Sequence, residues 1–240
     1  MEAMLSLALL SVFFYLAGYK SMVPVYAGLA CQGGAMAYRG LQIGRLPIIG
    51  PHDTLFFMSL STALFAIVIT YKQENRRRML YPMLILAVLL TVLSLAYPPH
   101  NTPLPPVLKT FWFESHVVLS FFSYALFGIA AVLGCVFLVL MEQQVEVLQY
   151  KAILVGYCFF SAAMIFGGIW AFYAWGTYWL WTPKELFTVI LWLFYSLCLH
   201  ARLRPSWAGK PTVILGIAGF AIVMFTYLGV SLFMKSSHSF

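Results

Sequence analysis

Five histidines, His52, His100, His116, His200 and His238, are the residues of this sequence best equipped to hold a metal. A neutral imidazole ligates through one ring nitrogen while the other donates a hydrogen bond. Two imidazoles approaching an iron from opposite sides make the axial pair of a haem. His116 and His238 bracket the stretch "WGTYWLWTPKE" at residues 175–185, which packs three tryptophans and a tyrosine into seven residues. Trp170 and Tyr173 carry the aromatic run further back along the chain. Such rings offer large rigid faces on which a flat apolar ligand can stack. Lys184 could meet an anionic edge of that ligand. The same rings could instead form an interfacial aromatic belt. Residue types alone leave platform and belt equally open, and two of four histidines at one face can pair by chance.

Positioning such groups falls to a greasy chain. Apolar residues make up 62% of the 240 and charged residues only 9%, whereas a soluble domain carries about a quarter charged. A spanning helix needs about 20 predominantly apolar residues. Apolar runs at 3–18, 22–38, 55–71, 79–96, 116–141, 152–174, 186–201 and 212–234 predict an all-α, polytopic integral membrane protein of about eight transmembrane helices. Lys20 and the "CQGG" at residues 31–34 interrupt the first two. One transmembrane domain over residues 1–240 is expected, with residues 170–185 as its tryptophan-rich outer segment.

Lysine and arginine set the expected orientation. Lys20, Lys72, Arg76, Arg77, Arg78, Lys151, Arg202, Arg204 and Lys210 fall in one set of connections. Arg39, Arg45, Lys109, Lys184 and Lys235 fall in the other. The richer set belongs in the cytoplasm, so both termini and the tryptophan-rich segment face outside. His52, His100, His116 and His238 then lie at the outer face. His200 lies fifteen residues beyond Glu185 on one helix, roughly 22 Å at 1.5 Å per residue, and so near the cytoplasmic end. No other histidine lies there. If His200 ligates iron with a second histidine, that partner comes from another polypeptide. The alternative is that His200 joins Arg202 and Arg204 at the lipid headgroups.

Several function classes find no support. The net charge of +7 resides in short connections and gives no reason to expect nucleic acid. There is no P-loop and no spaced carboxylate pair for hydrolysis. Cys31, Cys135, Cys158 and Cys198 sit in apolar stretches with no Cys-x-x-Cys. They read as small hydrophobes rather than a redox dithiol or a haem-attachment motif. The start, Met1-Glu2-Ala3, lacks the basic residues of a cleavable signal. Proline-rich outer connections, "RLPIIGPHD" and "YPPHNTPLPP", read as shaped loops.

The stretch "WGTYWLWTPKE" resembles the signature Trp-Gly-x-x-Trp-x-Trp-Asp-Pro-Lys-Glu of the CcsA/ResC cytochrome c assembly proteins. "LWLFYSLCLHAR" is similar to that family's next helix with its terminal His-x-Arg. "YLGVSLFMKSSHSF" is similar to its closing helix and outer histidine, and "SHVVLSFFSYALFGIAAVLG" to the helix that begins with the other outer histidine. The resemblance covers about half the chain, from Ser115 onward; before that only hydropathy and a "GRLP" lead-in match.

The resemblance implies haem handling in cytochrome c maturation. His116 and His238 match the outer axial pair, and His200 the transmembrane ligand whose mate lies on a CcsB/ResB-type partner. Trp175, Gly176, Trp179, Trp181, Pro183, Lys184 and Glu185 match the signature. Haem b is the implied cofactor or cargo and apocytochrome c the implied client. Membrane lipid surrounds the protein in a bacterial inner membrane or a thylakoid, with the site at the outer or lumenal face. The chain would then be a component of a holocytochrome c synthase. Thr182 departs from the signature where the family has aspartate; it can cap a helix but supplies no charge. A HemX-type regulator of haem biosynthesis, a CcmC-type haem-delivery subunit and a quinone-binding respiratory subunit are the alternatives. Lys184, Arg45 and Lys109 are candidate partners for haem propionates.

Overall fold

The computed structural model describes residues 2–230, which among them form helices and connections and no strand. Eight α-helices follow in order: α1 (Glu2–Ala17), α2 (Met22–Ile43), α3 (Gly50–Thr70), α4 (Arg76–Leu95), α5 (Phe111–Leu140), α6 (Gln143–Trp175), α7 (Pro183–Ala201) and α8 (Lys210–Met224). A π-helical turn, Phe225–Gly229, continues α8. Helices α3 to α7 and the stretch Lys210–Gly229 are long and apolar enough to cross a membrane. The protein is a polytopic membrane protein. Helix α1 is apolar but has only 16 residues. Helix α2 is diluted by buried Gln32 and Arg39. The chain packs as two compact units, residues 1–103 and 104–240.

In the first unit a buried polar network joins all four helices. The Tyr15 hydroxyl donates to Gln32 Oε1 at 2.7 Å, and Gln32 Nε2 donates to Ser59 Oγ at 2.8 Å and Thr91 Oγ1 at 3.1 Å. Ser59 Oγ also donates to the Ala87 carbonyl at 2.6 Å. In lipid an unpaired polar group costs several kcal/mol, so such a network must be closed on itself. The "CQGG" therefore does not break α2: Gln32 spends its polarity inside the bundle, and Gly28 lets the Tyr15 ring pass, since a Cβ there would lie 2.9 Å from it.

A second polar cluster lies at the ends of α2 and α3. Arg39 is buried and donates to Asp53 at 3.3 Å, Asn101 Oδ1 at 2.7 Å and the His100 carbonyl at 3.0 Å. The His52 Nδ1 lies 2.9 Å from Asp53 Oδ1. Arg45 Nη2 donates to the His100 carbonyl at 3.2 Å. Burial lowers the Arg45 pKa, with Asp53 opposing and Arg39 adding to the effect. His52 and His100 are thus tied to this cluster.

The second unit is organised on the α5–α6 hairpin. Its turn is only Met141 and Glu142, with Met141 in the left-handed region at φ 56°. At 1.5 Å per residue these helices run to about 45 and 50 Å, well past the roughly 30 Å hydrocarbon core. The expected loop around Lys151 is instead the first turns of α6. The polar residues there face the protein: Glu146 meets Arg202, and Gln149 Nε2 donates to the Val213 carbonyl at 3.2 Å. Helices α3, α5 and α7 likewise begin several residues before their apolar runs, at Gly50, Phe111 and Pro183. In each case a capping residue or proline, rather than hydropathy, sets the start.

Candidate functional site

The tryptophan-rich stretch is a helix stop, a display loop and a helix start. Trp175 ends α6, and Gly176 caps it in the left-handed region at φ 73°, its N–H donating to the Phe172 carbonyl at 2.8 Å. Glycine takes that conformation without a Cβ penalty. Thr182 caps α7: its Oγ1 accepts from the Glu185 N–H at 3.4 Å. Pro183 follows at the first helical position, where its missing N–H costs nothing. Glu185 closes the capping box. One of its carboxylate oxygens, Oε2, accepts from the Thr182 and Leu180 amides, each at 2.9 Å. Gly176, Thr182, Pro183 and Glu185 therefore shape the backbone. The aspartate position of the signature is a cap here, and Thr182 fills it.

The rings are what the loop presents. Tyr178 stacks on Phe172 at 4.6 Å and 15°. Trp179 meets Trp181 edge-on at 6.4 Å and 76°. Trp181 is 69% exposed and stands in the left-handed region at φ 57°, a conformation that disfavours any side chain but glycine's. The Trp179 Nε1 is buried and has no hydrogen-bond partner among the described residues. Lys184 is half-buried, and its ammonium forms no ion pair among the described residues. An indole N–H and an ammonium without partners among the described residues suit a ligand with apolar faces and anionic edges.

His116 joins this loop through α6. Its Nδ1 lies 2.8 Å from the Ala163 carbonyl. A carbonyl only accepts, so Nδ1 carries the proton and Nε2 keeps its lone pair. Nε2 makes no hydrogen bond among the described residues. One turn back on α5, Phe113 packs on Trp170 at 5.2 Å, and Trp170 meets Trp175 at 4.8 Å. Trp170 is anchored by Nε1 donating to the Val107 carbonyl at 2.9 Å. Phe113, Trp170 and Trp175 thus form one aromatic run along α6, and the imidazole seats on the same helix at Ala163. Residue types flagged His116 and the tryptophans; they did not flag Ala163, Gly167 or Phe113. The paired glycines in "IFGGIW" were the available signal, since glycine is costly inside a helix.

His200 stands at the other end of α7, exposed, with Nδ1 2.7 Å from its own helix's Ser196 carbonyl. Its Nε2 makes no hydrogen bond among the described residues. It is not brought to the ring-rich loop, as the helix count anticipated. His238 lies outside the described residues. No group of three or more His, Cys, Asp or Glu among the described residues could hold a metal ion by side chains alone.

The family model described as cytochrome C assembly protein matches residues 50–238. The chain belongs to that family. The match takes in α3 to α8 and the whole tryptophan-rich stretch and leaves α1 and α2 outside. Among curated relatives, the cytochrome c biogenesis protein CcsA of Chlamydomonas reinhardtii is 34% identical over 152 residues, 58% of this chain and 43% of the relative. The CcsA of Guillardia theta is 29% identical over 237 residues, 84% of this chain and 79% of the relative. Among solved structures, the cytochrome c heme lyase CcmF superposes with a TM-score of 0.65 at 16% identity, covering 98% of this chain and 46% of CcmF. The family fold is shared with CcmF at that distance. The chain spans less than half the length of CcmF and of the Chlamydomonas relative.

Proposed function

We propose that this protein binds haem b and presents it at the outer or lumenal membrane face for attachment to the Cys-x-x-Cys-His motifs of apocytochrome c. It would act as a component of a holocytochrome c synthase, with a CcsB/ResB-type partner, in a bacterial inner membrane or a thylakoid. Residues 1–240 would serve as one haem-handling domain with both termini outside. The observation that carries the reading is the His116 imidazole, fixed through Nδ1 by the Ala163 carbonyl of the helix that leads into the ring-rich loop, with Nε2 making no hydrogen bond among the described residues. That is the tautomer iron ligation needs.

In this reading His116 and His238 would be the residues that hold the haem iron. Trp175, Trp179 and Trp181 supply stacking faces, and Trp179 Nε1 and Lys184 meet the carboxylate edge. Gly176, Thr182, Pro183 and Glu185 hold those groups in place. Bound haem supplies vinyl groups to which cysteine thiols add, the sulfur bonding to one carbon and the proton going to the other. The protein's part is to orient the reactants, which removes much of the entropic barrier. His200, exposed at the inner end of α7, ligates haem together with a histidine of the partner.

Visible absorption of the protein purified with its partner tests the reading. Substituting His116→Ala together with His238→Ala is expected to remove the low-spin signature of the outer site from a still-folded protein. An unchanged spectrum overturns the assignment.

A further inference from the structure

At this site the His116 imidazole of α5 lies against the α6 backbone at Gly167. A Cβ placed on Gly167 of α6 would lie 2.6 Å from His116 Nδ1, 2.9 Å from Cε1 and 3.3 Å from Cγ. Carbon and nitrogen at rest stay about 3.5 Å apart or more, so the imidazole and a side chain at 167 cannot share this space. We propose that Gly167 is a positioning residue for the outer-site ligand: it leaves open the one approach by which His116 reaches the Ala163 carbonyl. The proposal rests on the reading of His116 as an iron ligand.

Helix geometry says why residue 167 is the one that matters. Ala163 and Gly167 are one turn apart on the same face of α6. In an α-helix the carbonyl of residue i accepts the N–H of residue i+4 along the axis and keeps a second lone pair facing outward. Side chains lean toward the helix N-terminus, so a Cβ at i+4 overhangs the carbonyl of residue i. At 167 that overhang is absent. The second lone pair of Ala163 is open, and His116 Nδ1 takes it at 2.8 Å. A methyl at 163 is small enough not to block the same approach. The bond to a fixed helix carbonyl does two things. It holds the proton on Nδ1, which leaves Nε2 basic, and it fixes the ring plane relative to α6 and hence to Trp170 and Trp175.

The neighbouring Gly168 supplies the control. A Cβ there would meet only the Tyr178 carbonyl, at 3.6 Å, an ordinary contact. Both glycines sit within α6, so alanine changes helix propensity equally at each. Only at 167 does it strike the imidazole.

The test compares wild type, Gly167→Ala, Gly168→Ala, His116→Ala and the Gly167→Ala/His116→Ala double variant, each purified with the partner. The readouts are haem content, the low-spin absorption bands and thermal midpoint. Gly167→Ala is expected to lose outer-site haem about tenfold to a hundredfold, the usual effect of removing an outer hydrogen bond to a ligating histidine. Its residual haem should shift toward high spin, which a general loss of stability would not produce. Gly168→Ala should match wild type. In the double variant the alanine at 167 should cost nothing beyond His116→Ala and should regain the thermal midpoint lost in Gly167→Ala alone, because the ring it struck is gone.

If His116→Ala keeps the wild-type spectrum, the functional reading itself fails. If His116→Ala loses the signature while Gly167→Ala behaves as Gly168→Ala, the positioning role alone is overturned. Should Gly167→Ala not be recovered folded, nitrogen-15 spectra of the haem-free wild-type protein decide. A proton on His116 Nδ1 supports the seat, and a proton on Nε2 overturns it.

Discussion

Arg202 and Glu146 meet side-on, with Nε and Nη2 of the guanidinium donating to Oε1 and Oε2 of the carboxylate, both at 2.8 Å. The Tyr150 ring lies 4.2 Å from the same guanidinium. Those hydrogen bonds raise the Arg202 pKa further above its ordinary value. Two residues one turn apart on α6 thus form a socket for the residue that ends α7. His200 precedes Arg202 by two residues, about 200° around a helix of 3.6 residues per turn. The side that is pinned to α6 therefore fixes the direction in which His200 points away from it.

Removing one partner of this pair should be costly. Arg202→Ala leaves the Glu146 carboxylate buried and uncompensated. The expected loss is about 2–3 kcal/mol, somewhat below the figure for a fully buried pair because Arg202 keeps some solvent access. Glu146→Ala/Arg202→Ala should lose less than the two single variants together, with a coupling of about 1–3 kcal/mol. Thermal unfolding in detergent checks both. Additive losses would mean that the side-on geometry carries no energy of its own.

His200 should matter for delivery rather than for folding. It is exposed, and its only hydrogen bond among the described residues is to Ser196 of its own helix. His200→Ala is expected to leave the thermal midpoint within about 0.5 kcal/mol of wild type, as for other surface sites, while holocytochrome c falls and apocytochrome c accumulates. Immunoblotting with haem staining measures the ratio. A normal ratio would return His200 to the lipid headgroups.

Thr182 stands where the family signature has aspartate, and the structure gives that position a capping role. Thr182→Ala should cost about 1 kcal/mol by unfolding, and Thr182→Asp should cost little, because both native and family residues accept from the same amide. Holocytochrome c yield should be the same for threonine and aspartate. A higher yield with aspartate would mean that charge is needed there as well as a cap.

How far the sequence reveals this architecture depends on what signals each part. Eight apolar runs mark the eight helices, of which six among the described residues are long and apolar enough to span, and the tryptophan-rich stretch marks its loop because its glycine, threonine, proline and glutamate are backbone-shaping residues in a readable order. Polar residues inside helices mislead. Gln32 suggests a break in α2, and Glu146 and Gln149 suggest a loop before residue 152, yet each satisfies its polarity against another helix. The His116 seat is illegible for a related reason. Its carbonyl partner lies 47 residues away, and Gly167 signals only that something comes close.

The Gln32 network makes the misleading case measurable. Gln32→Leu keeps the volume and strands the Tyr15 hydroxyl, whose acceptor is Gln32 Oε1. A buried polar group left unsatisfied costs about 1–3 kcal/mol. Tyr15→Phe/Gln32→Leu should recover part of that loss, since both partners are then apolar. Unfolding midpoints in the same detergent decide, and a double variant no better than Gln32→Leu would show that Tyr15 finds another acceptor.

Trp181 separates the two readings of the ring-rich loop. It holds φ at 57° with its side chain 69% exposed, so it contributes little packing and carries backbone strain of about 1 kcal/mol. An aromatic belt would not need that conformation; a platform that must aim an indole would. Trp181→Gly is expected to leave the thermal midpoint equal or higher, because glycine relieves the strain, while haem retained on purification falls. Trp181→Ala keeps the strain and should lose haem without the gain in stability. Stability rising in Trp181→Gly with haem unchanged would assign the indole to the interface belt instead.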